Sequence, residues 1–224
     1  MTRILTPASA GFISAAGVVL GRRVLGEGDL YLTLFLRGLG LAFVSARGAA
    51  SGKVRFGGGT EPLVWSTFTL YQNKGGEGGK KYLKGVDVAD DMLKLRSCAE
   101  ALFAAVRWAK LLTRHLMEGH PSDDLLANFY WSMKLATGGE IPVEAVEWRF
   151  MWRWLKNWGL APSLTYCFDG SPGELELLQR VAAAKGSELE LFTSQNSNLK
   201  QTLDEHRHFF TRAARRAEAF LQET

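Results

Sequence analysis

Two periodicities divide the chain. Up to about residue 88, apolar side chains alternate with polar ones or form short blocks separated by glycine-rich breaks. The pattern predicts five strands: Ala16–Val24, Leu30–Leu36, Leu41–Ala46, Val64–Tyr71 and Lys81–Val88. In the second, Tyr31, Thr33 and Phe35 alternate with Leu32, Leu34 and Leu36, so both faces are fairly apolar. In the fourth, Trp65, Thr67, Thr69 and Tyr71 alternate with Ser66, Phe68 and Leu70. Five short strands in about ninety residues suit a small closed barrel, which leaves no exposed edge. An SH3-like barrel is the rival arrangement. Gly11–Leu20 is apolar and follows a lone Arg3, but it is short and runs straight into Gly21-Arg22-Arg23. It reads as a tail leading into the first strand, not as a secretory signal or a membrane span.

After Asp87 the spacing becomes helical. Leu93, Leu95, Ala99, Leu102, Phe103, Val106, Ala109, Leu112 and Leu116 predict one long helix. Gly119-His120-Pro121-Ser122 stops it and offers Ser122 as the next N-cap. Asp123–Leu135 follows, then a helix from Val143 to Trp158 with Pro142 at its start and Gly159 at its C-cap. Residues Ser163–Gly173 read as an irregular connector, and Glu174–Lys185 and roughly Ser197–Gln222 as the last helices. The expected class is α+β, with a barrel domain over residues 1–86 and a helical bundle over 87–224.

Charge follows the same division. Residues 1–85 carry 11 Lys and Arg against 4 Asp and Glu, while residues 86–224 carry 16 against 19. The basic track is Arg22, Arg23, Arg37, Arg47, Lys53, Arg55, Lys80, Lys81 and Lys84. A run of cations on one domain is what a phosphodiester backbone requires, because each neutralised phosphate releases counterions. Tyr31, Phe43, Phe56, Tyr71 and Tyr82 lie near these cations, and Phe56 and Tyr82 are the candidates for base stacking. Ordinary barrel packing explains many such aromatics equally well.

Other chemistries lack their motifs. Gly57-Gly58-Gly59 has no following Lys-Ser/Thr, and Gly26-Glu27-Gly28-Asp29 precedes a strand, so neither forms a nucleotide loop. No nucleophile elbow or carboxylate pair stands out. His206 and His208 are two apart on a predicted helix and diverge by about 200°. Cys98 and Cys167 are too distant in sequence to form a Cys-x-x-Cys pair, and no metal or cofactor is expected. Asp90-Asp91 and Asp123-Asp124 sit at predicted helix starts, where the backbone dipole favours carboxylates. A reducing cytoplasmic setting fits two free thiols.

Trp148, Trp152, Trp154 and Trp158 crowd one predicted helix, interleaved with Arg149, Arg153 and Lys156. One buried stripe does not use all four, because Trp148, Trp152 and Trp154 cannot share a face. Arg149, Trp152 and Arg153 are therefore candidates for docking an acidic, apolar peptide end.

Several fragments occur in an order that resembles the bacterial RecO family. They are Val18-Val19-Leu20 with Arg22-Arg23, Gly26-Glu27-x-Asp29, Thr33-Leu34-Phe35, Gly40, Ala46-Arg47-Gly48 and Arg55-Phe56-x-Gly58-x-x-Glu61-Pro62. Arg149-Phe150 and Gly159-Leu160-Ala161-Pro162-x-Leu164-x-x-Cys167 continue the likeness. The resemblance implies an N-terminal OB barrel and a C-terminal helical domain. It further implies binding of single- and double-stranded DNA, strand annealing, and help for RecA in replacing the single-strand-binding protein. The implied partners are RecR and the C-terminal tail of single-strand-binding protein. Two departures stand out. Ala49-Ala50-Ser51-Gly52 replaces further basic residues, and Phe168-Asp169-Gly170 follows Cys167 where some members begin a zinc-binding cysteine cluster. The competing readings are a protein adaptor that docks an acidic peptide without DNA, and an enzyme whose site has no recognisable motif.

Overall fold

The computed structural model describes residues 11–26, 28–50, 55–73, 79–159 and 170–208. These fall into two compact units, one drawn from residues 1–96 and 105–126, the other from 97–104 and 127–224. The strand-rich unit thus takes in a segment well downstream of its last strand.

The strands are β1 (Gly11–Leu25), β2 (Asp29–Leu36), β3 (Gly40–Ala46), β4 (Trp65–Gln72) and β5 (Lys81–Asp90). They close in the order β1-β2-β3-β5-β4, with antiparallel neighbours except for the parallel β3–β5 junction at Val44/Lys81 and Ser45/Tyr82. All five expected strands are present. Their alternation has the expected result: Leu30, Leu32, Leu34, Leu36, Val44, Phe68 and Leu70 point inward and are buried together. Each such side chain contributes about 1.5–3 kcal/mol relative to remaining exposed.

Gly11–Ala16 is a correction to the sequence reading. It is no tail but the first half of β1, paired residue by residue with β4 from Gly11/Gln72 to Ala16/Thr67. This pairing closes the barrel, and nothing local to the segment shows it. Gly17 lies where β1 meets β2, and a Cβ there would overlap the carbonyl of Phe35.

Two irregularities re-aim side chains. The β1–β2 register slips between Val19 and Gly21, so Leu20 is extra. Val19 faces in, and simple alternation would send Arg23 in as well; the bulge turns Arg23 outward beside Tyr31. The β4–β5 register slips between Thr69 and Leu70, which leaves Lys84 as the extra residue on β5.

After the barrel come α1 (Leu93–Ser97), α2 (Ala99–His115) and α3 (Asp123–Ala136). The predicted single helix is therefore broken at Cys98. Asp90 and Asp91 accept from the amides of Met92 and Leu93, at 2.9 and 3.0 Å, which fastens the turn before α1. Asp123 accepts from the Gly38 amide at 2.7 Å and ties the β2–β3 turn to the start of α3.

The second unit contains α4 (Val143–Asn157), α5 (Pro172–Ala183), α6 (Gly186–Gln195) and α7 (Leu199–Glu205). Helix α6 was not foreseen, and the expected connector ends instead in a capping box at Ser171. The Ser171 hydroxyl accepts from the Glu174 amide, and Glu174 accepts from the Ser171 amide at 2.7 Å. The expected final helix is seen as α7; its predicted continuation beyond residue 208 lies outside the described residues.

The hydrogen bonds from Ser171, followed by the nearby His206, hold the Glu174 carboxyl below its ordinary range. A lowered folded-state pKa stabilises above the unfolded value, and the effect is lost as pH falls through the folded one. Ser171→Ala removes this N-cap and is expected to destabilise the chain by about 1 kcal/mol at neutral pH. In thermal melts the penalty should shrink as the medium is acidified below the range where Glu174 is ionised.

Candidate nucleic-acid interface

Side chains opposite one another on neighbouring strands share a face, and five registers link six residues, two of them on β1, into a row on the outside of the barrel. Arg23 on β1 opposes Tyr31 on β2, Tyr31 opposes Ser45 on β3, and Ser45 opposes Tyr82 on β5. Tyr82 opposes Tyr71 on β4, and Tyr71 opposes Phe12, back on β1. The outward aromatics are thus not core, the bland alternative for each of them. Phe43 stacks on Tyr31 with ring centroids 6.0 Å apart and planes 8° apart.

Cations lie over this row. The Arg23 guanidinium is 4.6 Å from the Tyr31 centroid, Arg47 is 5.0 Å from Tyr82, and the Lys84 ammonium is 5.6 Å from Tyr71. Arg55 donates to the Arg47 carbonyl at 2.8 Å, which holds its guanidinium beside the end of β3. Arg47, Arg55 and Lys84 line one open cavity of about 260 Å³ with Tyr71 and Tyr82. That is smaller than the roughly 300–1,000 Å³ of a small-molecule pocket. A shallow cavity with three cations and two ring faces suits phosphate oxygens and the flat face of a base.

The remaining expected cations are dispersed. Arg22 is ion-paired with Glu61 at 2.6 Å, and Lys81 with Glu118 at 2.9 Å. Arg37 is exposed at the opposite end of the barrel, beside the turn that binds Asp123. Lys80 is exposed where the β4–β5 hairpin re-enters the sheet, and its carbonyl accepts from Asn73. Lys53 lies outside the described residues. Phe56 packs against the barrel core beneath Arg55, so its ring is not a free platform. Phe12, in the segment that reads as a leader to the first strand, is 71% exposed and meets Tyr71 edge-on at 5.3 Å.

The expected docking group on α4 divides as well. Arg149 is 5% exposed and donates through Nε to the Ala184 carbonyl at 2.8 Å, at the C-terminus of α5. Burial, and then the neighbouring Arg153, push its pKa down to about 10, so it remains charged at neutral pH. The helix dipole favours a cation there. Arg149 thus serves the fold rather than a surface. Arg153 and Trp152 remain half-buried, while Trp148 and Trp154 are core. Arg149→Ala is expected to cost about 2–3 kcal/mol, because it removes a charge-assisted bond and the stem packing of the side chain. Arg153→Ala, whose contact to the same carbonyl is 3.4 Å long, should cost well under half of that in urea unfolding.

Among the described residues no three of His, Cys, Asp and Glu come together as metal ligands, and no helix is long and apolar enough to cross a membrane.

Strand order, the parallel β3–β5 junction and the outward basic-aromatic face define an OB-type barrel. Residues 12–89 match the family described as Recombination protein O N terminal. The match bears out the resemblance to the RecO family. The chain is similar to the DNA repair protein RecO of Acetivibrio thermocellus, with 26% identity over 157 residues, 70% of this chain and 61% of that protein. It is also similar to the protein of the same name from Exiguobacterium sibiricum, at 30% over 153 residues, 68% of this chain and 59% of the relative. The likeness to that of Heliobacterium modesticaldum is 28% over 162 residues, 72% and 57%. The chain therefore spans less than two thirds of the relatives it matches.

Proposed function

We propose that the chain is a DNA-binding mediator of recombinational repair. The observation that carries this reading is the convergence of Arg47, Arg55 and Lys84 with Tyr71 and Tyr82 on the outside of a RecO-type barrel. Contacts of this kind hold the phosphate backbone without reading sequence. Neutralising two complementary strands on one surface lowers the repulsion between them, and annealing follows. In this reading residues 1–86 hold single- and double-stranded DNA, with Arg23 and Lys80 extending the cavity's cations. Residues 87–224 dock partners: RecR, and the acidic tail of single-strand-binding protein at Trp152 and Arg153. RecA loading is then indirect, the setting is the cytoplasm near the nucleoid, and the action is binding rather than catalysis.

The reading is tested by fluorescence anisotropy of labelled dT20 and of a 20-base-pair duplex across salt concentrations. Three phosphate contacts on a single strand should make log K fall with log salt at a slope of about −2 or steeper. Absence of binding to either probe at low salt would remove the proposal. Stopped-flow annealing of complementary oligonucleotides then tests the finer claim, with faster annealing expected when protein is present.

A further inference from the structure

The cavity accounts for the cations but not for the full aromatic row. Phe12, the ring at the end of the row, is the most exposed of the large apolar side chains among the described residues, at 71%. Its edge-on contact with Tyr71 leaves most of the ring uncovered. Its neighbour Tyr71 is half-buried beneath Lys84, and Tyr82 beneath Arg47. The three rings occupy directly opposed positions on β1, β4 and β5, so they lie at successive strand spacings of about 4.8 Å. Arg47, Arg55 and Lys84 flank the same line.

We infer that Phe12, Tyr71 and Tyr82 form a stacking track for unpaired bases, which crosses β5, β4 and β1 and makes the surface selective for single strands. The inference rests on the DNA-binding reading above and adds a preference for single strands over duplex and the route that the bases take. OB barrels commonly bind along the face of strands 2 and 3. Here that face carries Tyr31 stacked on Phe43 under Arg23, while the cavity and the exposed ring lie on the other side of β3. Bases paired in a duplex are stacked on each other and cannot lie on these rings. A duplex therefore meets the cations alone, whereas a single strand gains both contributions. Arg47 and Lys84 cover two of the rings in the free protein, so a phosphate that draws these cations aside also uncovers the ring for its base.

The test compares labelled dT20 with an abasic deoxyribose-phosphate oligomer of equal length, which keeps the phosphates and lacks bases. Wild-type protein should bind dT20 at least about tenfold more tightly than the abasic strand. Phe12→Ala should remove much of that preference without changing the affinity for the abasic strand or the salt slope, and Tyr71→Ala should lower the preference as well. Phe12→Trp should restore it. Because Phe12 is exposed, its replacement leaves the fold intact, and a melting curve checks this. Equal binding of dT20 and the abasic strand by the wild-type protein overturns the inference and leaves the DNA-binding reading standing, as does an unchanged preference in both alanine variants. Failure of the wild-type protein to bind either strand overturns both.

Discussion

Reversing Arg47, Arg55 and Lys84 together to glutamate is expected to weaken binding of dT20 at 0.1 M salt by about a hundredfold or more. Each phosphate contact on a single strand contributes about 0.7 to the slope of log K against log salt. Three contacts therefore account for about two decades of affinity between 1 M and 0.1 M salt. Repulsion from the new carboxylates adds to the loss. The slope itself should flatten by about 2, and the effect should be alike for oligo-dT and mixed sequences, because backbone contacts carry no base information. The matching reversals at Arg22 and Lys81 should do less, because Glu61 and Glu118 already neutralise those cations. Arg37→Glu should also do less, at the far end of the barrel. Anisotropy titrations with the four variants in one buffer series check this ranking. An equal loss from Arg37→Glu and from the triple variant would mean that charge acts through the whole barrel and not at the cavity.

Gly40→Ala is expected to destabilise the barrel by about 3 kcal/mol or more, a large part of the stability of an ordinary domain. Gly40 has φ +70°, a conformation that costs an L residue about 1–2 kcal/mol. In addition, an added Cβ would overlap the backbone carbonyl of His120. That carbonyl is not a flexible side chain end. It belongs to the segment whose Gly119 amide donates to Leu41 at 3.1 Å and whose Glu118 bridges Leu41. Relief of the overlap therefore requires the start of β3 to part from residues 118–120. Gly38→Ala separates the two effects, since Gly38 has the same φ of +70° but open space around it. It should cost about 1–2 kcal/mol, the conformational part alone. Urea unfolding of the two variants by circular dichroism measures the difference, and equal midpoints would mean that the close approach of His120 is relieved without cost.

The barrel was legible because its signal is local. Alternation in Leu30–Leu36 and Trp65–Tyr71 places inward residues two apart, and the glycine breaks mark the strand ends. The helices of the second unit were legible for the same reason where an apolar stripe recurs, as in α4. Helix α6 was not legible because Gly186–Gln195 is short and opens on Gly186-Ser187, which reads as a break between the flanking helices. The break at Cys98 left no mark, since the apolar positions continue across it.

The candidate site was legible only in composition. A concentration of cations in the first 85 residues pointed to the barrel, but spacing could not distinguish Arg47, Arg55 and Lys84 from Arg22 and Lys81. Their fates depend on carboxylates 37 and 39 positions away in the chain. Phe12 was hidden because the segment around it looked like a leader to a strand, and its exposure follows only from the pairing of β1 with β4. Arg149 shows the converse: beside tryptophans it looked like a binding residue, and the C-terminus of α5 claims it instead.

By itself, then, the sequence determined the class of fold, the strand set, the basic half and the likeness to RecO, because hydrophobic period, turn chemistry and charge act over a few residues. The tertiary structure alone decided which face each cation occupies. One extra residue in a strand reverses every side chain beyond it, as Leu20 does for Arg23. It also decided which charges are already neutralised and which aromatics meet across strands. Those outcomes depend on register between segments far apart in the chain, and register is a property of the closed sheet.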